Sequence, residues 1–191
     1  MIIALCGKKG SGKSSLAKAL REELNGGASP CHILSLALPI KNLVHKAYGE
    51  PPRTADGSAD KEAPAIYPYT FRGAYQKVGQ GLRHILDEKF WLRTWERSAE
   101  QLAELGNKRE STLIVDDVRY HNEVDFFRNK GAMMVRLLRN PWAMDPHPSE
   151  QEMVGIPMEK FHVVLSPTAT VEENKALVMA AWTCFKGRSV V

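Results

Sequence analysis

Gly7-Lys8-Lys9-Gly10-Ser11-Gly12-Lys13-Ser14 is the stretch that decides the fold. It fits the pattern G-x-x-x-x-G-K-[ST], and its neighbours complete the reading. The apolar run Ile2–Cys6 precedes it, and a segment in which Leu16, Leu20 and Leu24 recur every four residues follows it. A strand that runs through a glycine-rich turn into a helix is the setting in which this motif cradles a phosphate chain. Gly10 and Gly12 let the backbone curl so that several N–H groups aim at one anion, and the helix N-terminus adds partial positive charge. Average residue usage gives a chance match of roughly 0.5% in a chain of this size. Lys9, Gly10, Ser11, Gly12, Lys13, Ser14 and Ser15 are therefore the expected phosphate-loop residues. Lys13 is expected to reach the β- and γ-phosphates of ATP, and Ser14 to offer its hydroxyl to Mg2+.

Outward from the loop, short apolar runs alternate with helical patterns. Ile33–Leu38, Leu113–Val115, Met133–Leu138 and His162–Leu165 read as four more strands after the first. Near-continuous apolar runs suit a parallel sheet covered on both faces. Asn25-Gly26-Gly27 ends the first helix. Trp91, Trp95, Ser98, Leu102 and Leu105 form another helical stripe, and His121–Lys130 reads as a short helix ended by Gly131. The last helix opens with Thr170-Val171-Glu172-Glu173, a capping-box pattern, and turns Leu177, Val178, Ala181, Trp182 and Phe185 inward. This alternation predicts an α/β P-loop NTPase fold: a five-stranded parallel sheet with helices on both faces, in a single domain over residues 1–191. Residues 49–68, rich in Pro, Ala, Gly and Asp, read as a mobile surface loop. Residues 140–157, with four prolines, read as a lid-like segment.

Composition narrows the function classes. Of the 191 residues, 43% are hydrophobic and 25% charged, the balance of an ordinary globular domain. The net charge of +4 favours anionic ligands but is too small and scattered to argue for wrapping nucleic acid. The three cysteines are odd in number and lack metal spacing; Cys6 and Cys31, in apolar runs, read as small buried residues in a reducing compartment. Ile2–Cys6 is too short for a signal sequence, and no window approaches the roughly 20 apolar residues of a membrane helix. A cytoplasmic protein is expected, with small nucleotides as partners; a homodimer is left open. A serine hydrolase is excluded by the lack of a G-x-S-x-G elbow.

Leu113-Ile114-Val115-Asp116-Asp117 is a hydrophobic strand that ends in acid. The carboxyl ends of parallel strands line the ligand crevice. A carboxylate there can hold Mg2+ through water or polarise the attacking group. Because adjacent strand residues point to opposite faces, only one of the two acids is expected on the phosphate side, and the strand itself does not say which.

The later segments carry a resemblance. Asp117-Val118-Arg119-Tyr120-His121-Asn122-Glu123 resembles the D-V-R-(aromatic)-x-N-E segment of bacteriophage-type deoxynucleoside monophosphate kinases. His147-Pro148-Ser149-Glu150 looks like their H-x-S-E motif, and Leu38-Pro39-Ile40-Lys41 is similar to their segment after the second strand. Arg72, Gln76, Gly79 and Arg83, followed by Trp91, echo their R-x-x-x-Q-x-x-G helix and downstream tryptophan. The pieces run colinearly from about residue 2 to residue 178. Ser14 stands where many members carry Asp, and residues 49–68 do not align.

The resemblance implies transfer of the γ-phosphoryl group of ATP to a dNMP, with Mg2+ required. It makes Asp117 the acid near the metal and acceptor phosphate. Arg119 becomes the clamp on the acceptor or transferring phosphate, Lys41 and Arg72 the grip on the acceptor monophosphate, Gln76 a contact to its base or sugar, and Glu150 part of a closing segment. Lys13, Asp117 and Arg119 are then the catalytic set, and Ser14 and Asp117 the metal side. Other acceptors, such as phosphomevalonate or dephospho-coenzyme A, form the alternative within kinases. A non-kinase module that binds ATP or nucleic acid is the alternative outside them.

Overall fold

The computed structural model describes residues 1–27, 29–106, 110–138 and 152–188. In chain order the elements are β1 (Ile2–Gly7), α1 (Lys13–Asn25), β2 (Cys31–Ile33), α2 (Leu38–Tyr48), β3 (Pro64–Ile66), β4 (Tyr69–Thr70), α3 (Phe71–Ile85), α4 (Phe90–Leu105), β5 (Thr112–Val118), α5 (His121–Asn129), β6 (Met133–Leu137), β7 (Val163–Leu165) and α6 (Val171–Arg188). The contacts divide into two compact units, Met1–Ser35 with Ser98–Val191, and Leu36–Arg97.

The first unit holds a five-stranded sheet in the order β2-β5-β1-β6-β7, parallel throughout. β1 is central, and Ile3, Ala4, Leu5 and Cys6 are all fully buried, as a strand covered on both faces requires. On one face Ile3, Leu5, Ile114, Met133 and Val135 pack against Leu16 and Leu20 of α1 and Val178 and Trp182 of α6. Ala4, Cys6 and Met134 alternate to the other face. There α5 packs on β1 and β6 and buries Val124 and Phe127. The strand order changes sides at β1, so its carboxyl end is the switch point where such sheets bind ligands. The glycine-rich loop leaves the sheet at that point. This is the P-loop fold, as expected.

Two side chains finish the sheet in ways that composition does not announce. The Met134 N–H donates to His162 Nδ1 at 2.9 Å, while the His162 N–H donates to the Met134 carbonyl at 2.9 Å. The imidazole thus stands in for a strand carbonyl just before β7. Arg136 is a buried guanidinium on β6. It donates to the Met153 carbonyl at 2.7 Å and to Cys6 Sγ at 3.2 Å, and lies 5.4 Å from the centre of the Phe161 ring. It thereby clasps the chain at Met153 and Phe161 to the sheet.

The second unit packs α2 against α3 around Val44, Ala63, Phe71 and Ala74. Thr70 caps α3 by accepting from the Gly73 N–H at 3.2 Å, and Trp91 Nε1 donates to the Gly79 carbonyl at 2.8 Å. Trp91 and Trp95 are therefore packing residues, each 2% exposed.

Four expectations about elements change. The second strand is Cys31–Ile33 rather than Ile33–Leu38. Leu34 and Leu36 are buried without strand pairing beyond one bond from the Leu34 N–H to the Ile114 carbonyl, and Pro39 sits in the first turn of α2, where its missing N–H costs nothing. Residues 49–68 are not a featureless loop. Arg53 and Ala59 bridge around a tight turn, and β3 pairs with β4. The stripe of α4 does not reach Leu105, and in α6 Leu177 faces outward although Val178 and Trp182 are buried. Of the lid-like segment, residues 140–151 lie outside the described residues; Met153 and Ile156 are buried. No helix among the described residues is long and apolar enough to cross a membrane.

Cys6 and Cys31 are buried, and Cys184 is exposed. Burial pushes the Cys6 thiol up despite Arg136 beside it, and pushes Cys31 up to about 11. A raised thiol pKa depletes the reactive thiolate at neutral pH. We therefore expect Ellman's reagent at pH 7.5 to titrate Cys184 alone in the folded protein and all three cysteines in denaturant. Rapid reaction of more than one thiol in the native state would contradict this packing.

Candidate active site

The loop between β1 and α1 is built around two left-handed glycines, Gly10 (φ 73°) and Gly12 (φ 89°). Residues with a Cβ rarely adopt that region, so the turn needs glycine there. Gly7 answers a different demand: a Cβ on it would fall 2.7 Å from Ser11 Oγ and 3.0 Å from the Leu137 carbonyl. Gly12 is the N-cap of α1, and no side chain caps the helix. Its first-turn N–H groups and the positive end of its dipole are thus available to an anion.

Lys13 is buried, with Nζ donating to the Gly7 carbonyl at 2.5 Å, the Lys8 carbonyl at 2.7 Å and Ser11 Oγ at 3.3 Å. The loop's own carbonyls thus satisfy a buried ammonium beside an uncapped helix end. This donor set fits a polyphosphate. Ser11 is buried, whereas Lys9, Ser14 and Ser15 are exposed.

The β5 end supplies the carboxylate. Ser14 Oγ donates to Asp116 Oδ2 at 2.9 Å, and Ser35 Oγ donates to Asp116 Oδ1 at 2.5 Å. Asp116 is 9% exposed, and each oxygen accepts from a hydroxyl. An oxygen-only pair of hydroxyl and carboxylate is the hard donor set that Mg2+ takes, with water and substrate phosphates completing the shell. No group of three or more His, Cys, Asp or Glu poised to hold a metal occurs among the described residues.

β1 pairs Ala4 with Val115 and Cys6 with Val118, so Asp116 and Asp117 both stand opposite Leu5. This one-residue bulge breaks the strict alternation from which only one acid was expected on the phosphate side. The resemblance assigns the metal side to Asp117; the hydrogen bonds to Ser14 and Ser35 go to Asp116. Asp117 is half-buried at the adjoining position.

Beyond the bulge the chain turns into α5. Glu123, 2% exposed, accepts from the Arg119 N–H at 2.7 Å and the Tyr120 N–H at 3.1 Å. Glu123 thereby fixes the backbone of the turn that carries Arg119.

Beside the loop lies an open depression, whose lining includes Ser11, Gly12, Leu137, Pro167, Ala169 and Asn174. The sequence reading missed the last four. As scattered single residues, they have nothing to distinguish them from core or loop positions until the fold assembles them.

Of the expected acceptor residues, Lys41, Arg72 and Gln76 belong to the second unit and Arg119 to the first. Lys41 is half-buried on α2. Arg72 and Gln76 lie one turn apart on α3, and Arg72 Nε is paired with Glu62. Glu150 lies outside the described residues.

No family model matches the chain. A protein of Acanthamoeba polyphaga mimivirus named "Putative deoxynucleotide monophosphate kinase" is 28% identical over 188 residues, covering 91% of each chain. The resemblance to deoxynucleotide monophosphate kinases holds along the chain. Similar solved structures include APS kinase from Mycobacterium tuberculosis, with 15% identity over 95% of this chain and 96% of that one, at a TM-score of 0.49. Shikimate kinase from Aquifex aeolicus has 14% identity over 96% of each chain, at a TM-score of 0.46.

Removing the Glu123 carboxylate takes away the acceptor of the Arg119 and Tyr120 N–H bonds in a half-buried turn. Glu123→Ala is expected to lower unfolding free energy by about 1–3 kcal/mol in urea titration. A change within error would mean that the two bonds do not hold the turn.

Proposed function

We propose that this protein is a deoxynucleoside monophosphate kinase that moves the γ-phosphoryl group of ATP to a dNMP, giving ADP and dNDP. The observation that carries the reading is the hydrogen bond from Ser14, directly after the loop lysine, to Asp116 at the end of β5. It joins a phosphate-binding loop to a metal-side carboxylate. The similarity to the viral protein, along nine-tenths of both chains, supports the choice of acceptor.

The proposed roles follow from charge. An acceptor phosphate oxygen forms the new bond to the γ-phosphorus as the bond to the ADP oxygen breaks. Phosphoryl transfer needs alignment and charge neutralisation more than covalent chemistry. Lys13 exchanges the Gly7 and Lys8 carbonyls for the β- and γ-phosphates, while Gly10, Ser11, Gly12 and the first turn of α1, with Ser14 and Ser15, hold the chain of phosphates. Ser14 and Asp116 would hold Mg2+, which when bound supplies positive charge against the phosphate oxygens. Asp117 and Arg119 serve the transferring and acceptor phosphates, Arg119 with the planar two-point grip that suits phosphate. Lys41 and Arg72 bind the acceptor monophosphate, with Gln76 at its base or sugar. Exclusion of water by the segment carrying Glu150 is part of the same proposal.

Three measurements test this. Purified protein with Mg·ATP should release ADP with at least one of the four common dNMPs, and Lys13→Ala should lower that rate on the order of 100-fold or more while leaving the circular dichroism spectrum unchanged. Acceptor-dependent release with phosphomevalonate or dephospho-coenzyme A alone would move the reading to another acceptor; ATP binding with no transfer would move it to a binding module. Arg72→Ala should raise KM for the acceptor more than KM for ATP, and an unchanged acceptor KM would remove Arg72 from the site. Asp116→Asn should raise the Mg2+ concentration for half-maximal rate, whereas Asp117→Asn should lower kcat at saturating Mg2+. The opposite pattern would exchange the roles of the two acids.

A further inference from the structure

The Asp116 carboxylate is held from two sides, but the phosphate-loop motif accounts for only one of them. Ser14 on Oδ2 belongs to the loop. Ser35 on Oδ1, at 2.5 Å, belongs to no motif in the chain. It lies two residues beyond the end of β2, half-buried, and ends the N-terminal stretch of the first unit.

The backbone puts it there. β2 is the edge strand beside β5, in the register Ile33 to Ile114, and the Leu34 N–H donates to the Ile114 carbonyl at 2.9 Å. That bond holds the chain against β5 for one residue beyond the strand, and Ser35 follows where β5 reaches Asp116. The buried side chain of Leu34 anchors the same point. A longer second strand would have carried residue 35 on along the ladder.

We propose that Ser35 is a positioning residue for the metal-side carboxylate. A carboxylate on a short side chain rotates about χ2, and a single hydrogen bond from Ser14 leaves that rotation free. The second bond, to the other oxygen, fixes the carboxylate plane. Both hydroxyl protons are then spent on Asp116, so each hydroxyl turns its oxygen lone pairs elsewhere. For Ser14 that leaves its oxygen free to face a cation while its proton stays on the acid. Ser35 thus acts through Asp116 and Ser14 and touches no substrate. Hydrogen-bond partners of metal-side ligands are commonly worth 10-fold or more in metal affinity.

This inference rests on the phosphate-loop half of the proposed function and not on the identity of the acceptor, so the test omits the acceptor. ATP binding is measured by calorimetry with and without Mg2+ for wild type, Ser35→Ala, Ser35→Thr and Asp116→Asn, with a thermal melt of each protein. In wild type, Mg2+ should strengthen ATP binding. In Ser35→Ala that gain should shrink by roughly 10-fold, with metal-free ATP affinity and melting temperature near wild type. Ser35→Thr, which keeps a hydroxyl, should restore most of it, and Asp116→Asn should abolish it. A full Mg2+ gain in Ser35→Ala would overturn the proposal. So would equal weakening of binding with and without metal, which would mark Ser35 as merely structural. If wild type binds ATP with no Mg2+ gain at all, the metal-side role of Asp116 fails and this inference fails with it. If the gain behaves as expected but no dNMP is phosphorylated, only the acceptor assignment is wrong.

Discussion

β1 has to be buried on both faces. Four consecutive residues of it, Ile3 to Cys6, have no exposed surface, so layers must cover it on each side and strands must flank it at each edge. At roughly 25 cal/mol per Å2 of apolar area removed from water, burying such a strand is a strong reason to assemble. α1 and α6 supply one cover and α5 contributes to the other. With β1 central, its carboxyl end becomes the place where connections diverge to left and right. The loop that follows has to turn sharply there, and Gly7 is pressed so closely between Ser11 and Leu137 that a methyl group would collide. The phosphate-binding shape follows from the burial of the strand before it.

The polar groups around that end obey a second constraint, which is that buried charge must be paired or hydrogen-bonded. Lys13 meets it with loop carbonyls, Asp116 with two hydroxyls and Glu123 with two backbone N–H groups. Arg136 meets it less completely, through a carbonyl, a thiol and a ring face, and its Nε is buried without a partner. The first three lie where phosphate and metal chemistry is proposed. The fourth clasps the chain that follows residues 139–151 to the sheet.

The bulge at Asp116 and Asp117 shows how a local departure changes a functional reading. Strict alternation allows one acid per face. Inserting one residue opposite Leu5 brings the pair to the same register position. Two carboxylates can then divide tasks that one would have to combine, with Asp116 anchored to Ser14 and Asp117 leading into the turn of Arg119. The resemblance named Asp117, and the hydrogen bonds of the loop serine single out Asp116; the bulge makes these compatible.

The sequence by itself determined the phosphate loop, the parallel sheet and most of the helices, because each is written in local terms. A glycine spacing, an apolar run, a four-residue leucine period and a Thr–Glu cap need no distant partner to be recognised, and Thr170 and Glu173 exchange the bonds their spacing implies. Where the second strand stops, which acid meets Ser14 and why Ser35 matters were decided only by tertiary structure. Each depends on a neighbour far along the chain: Ile114 for Leu34, Asp116 for Ser35, Leu5 for the bulge. An apolar run shows that a segment is buried but not whether burial comes from strand pairing or from packing, and Leu34 and Leu36 are buried largely by packing. A hydrogen bond between residues 81 positions apart has no local signature, since the hydroxyl and the carboxylate are ordinary until the sheet sets β2 beside β5.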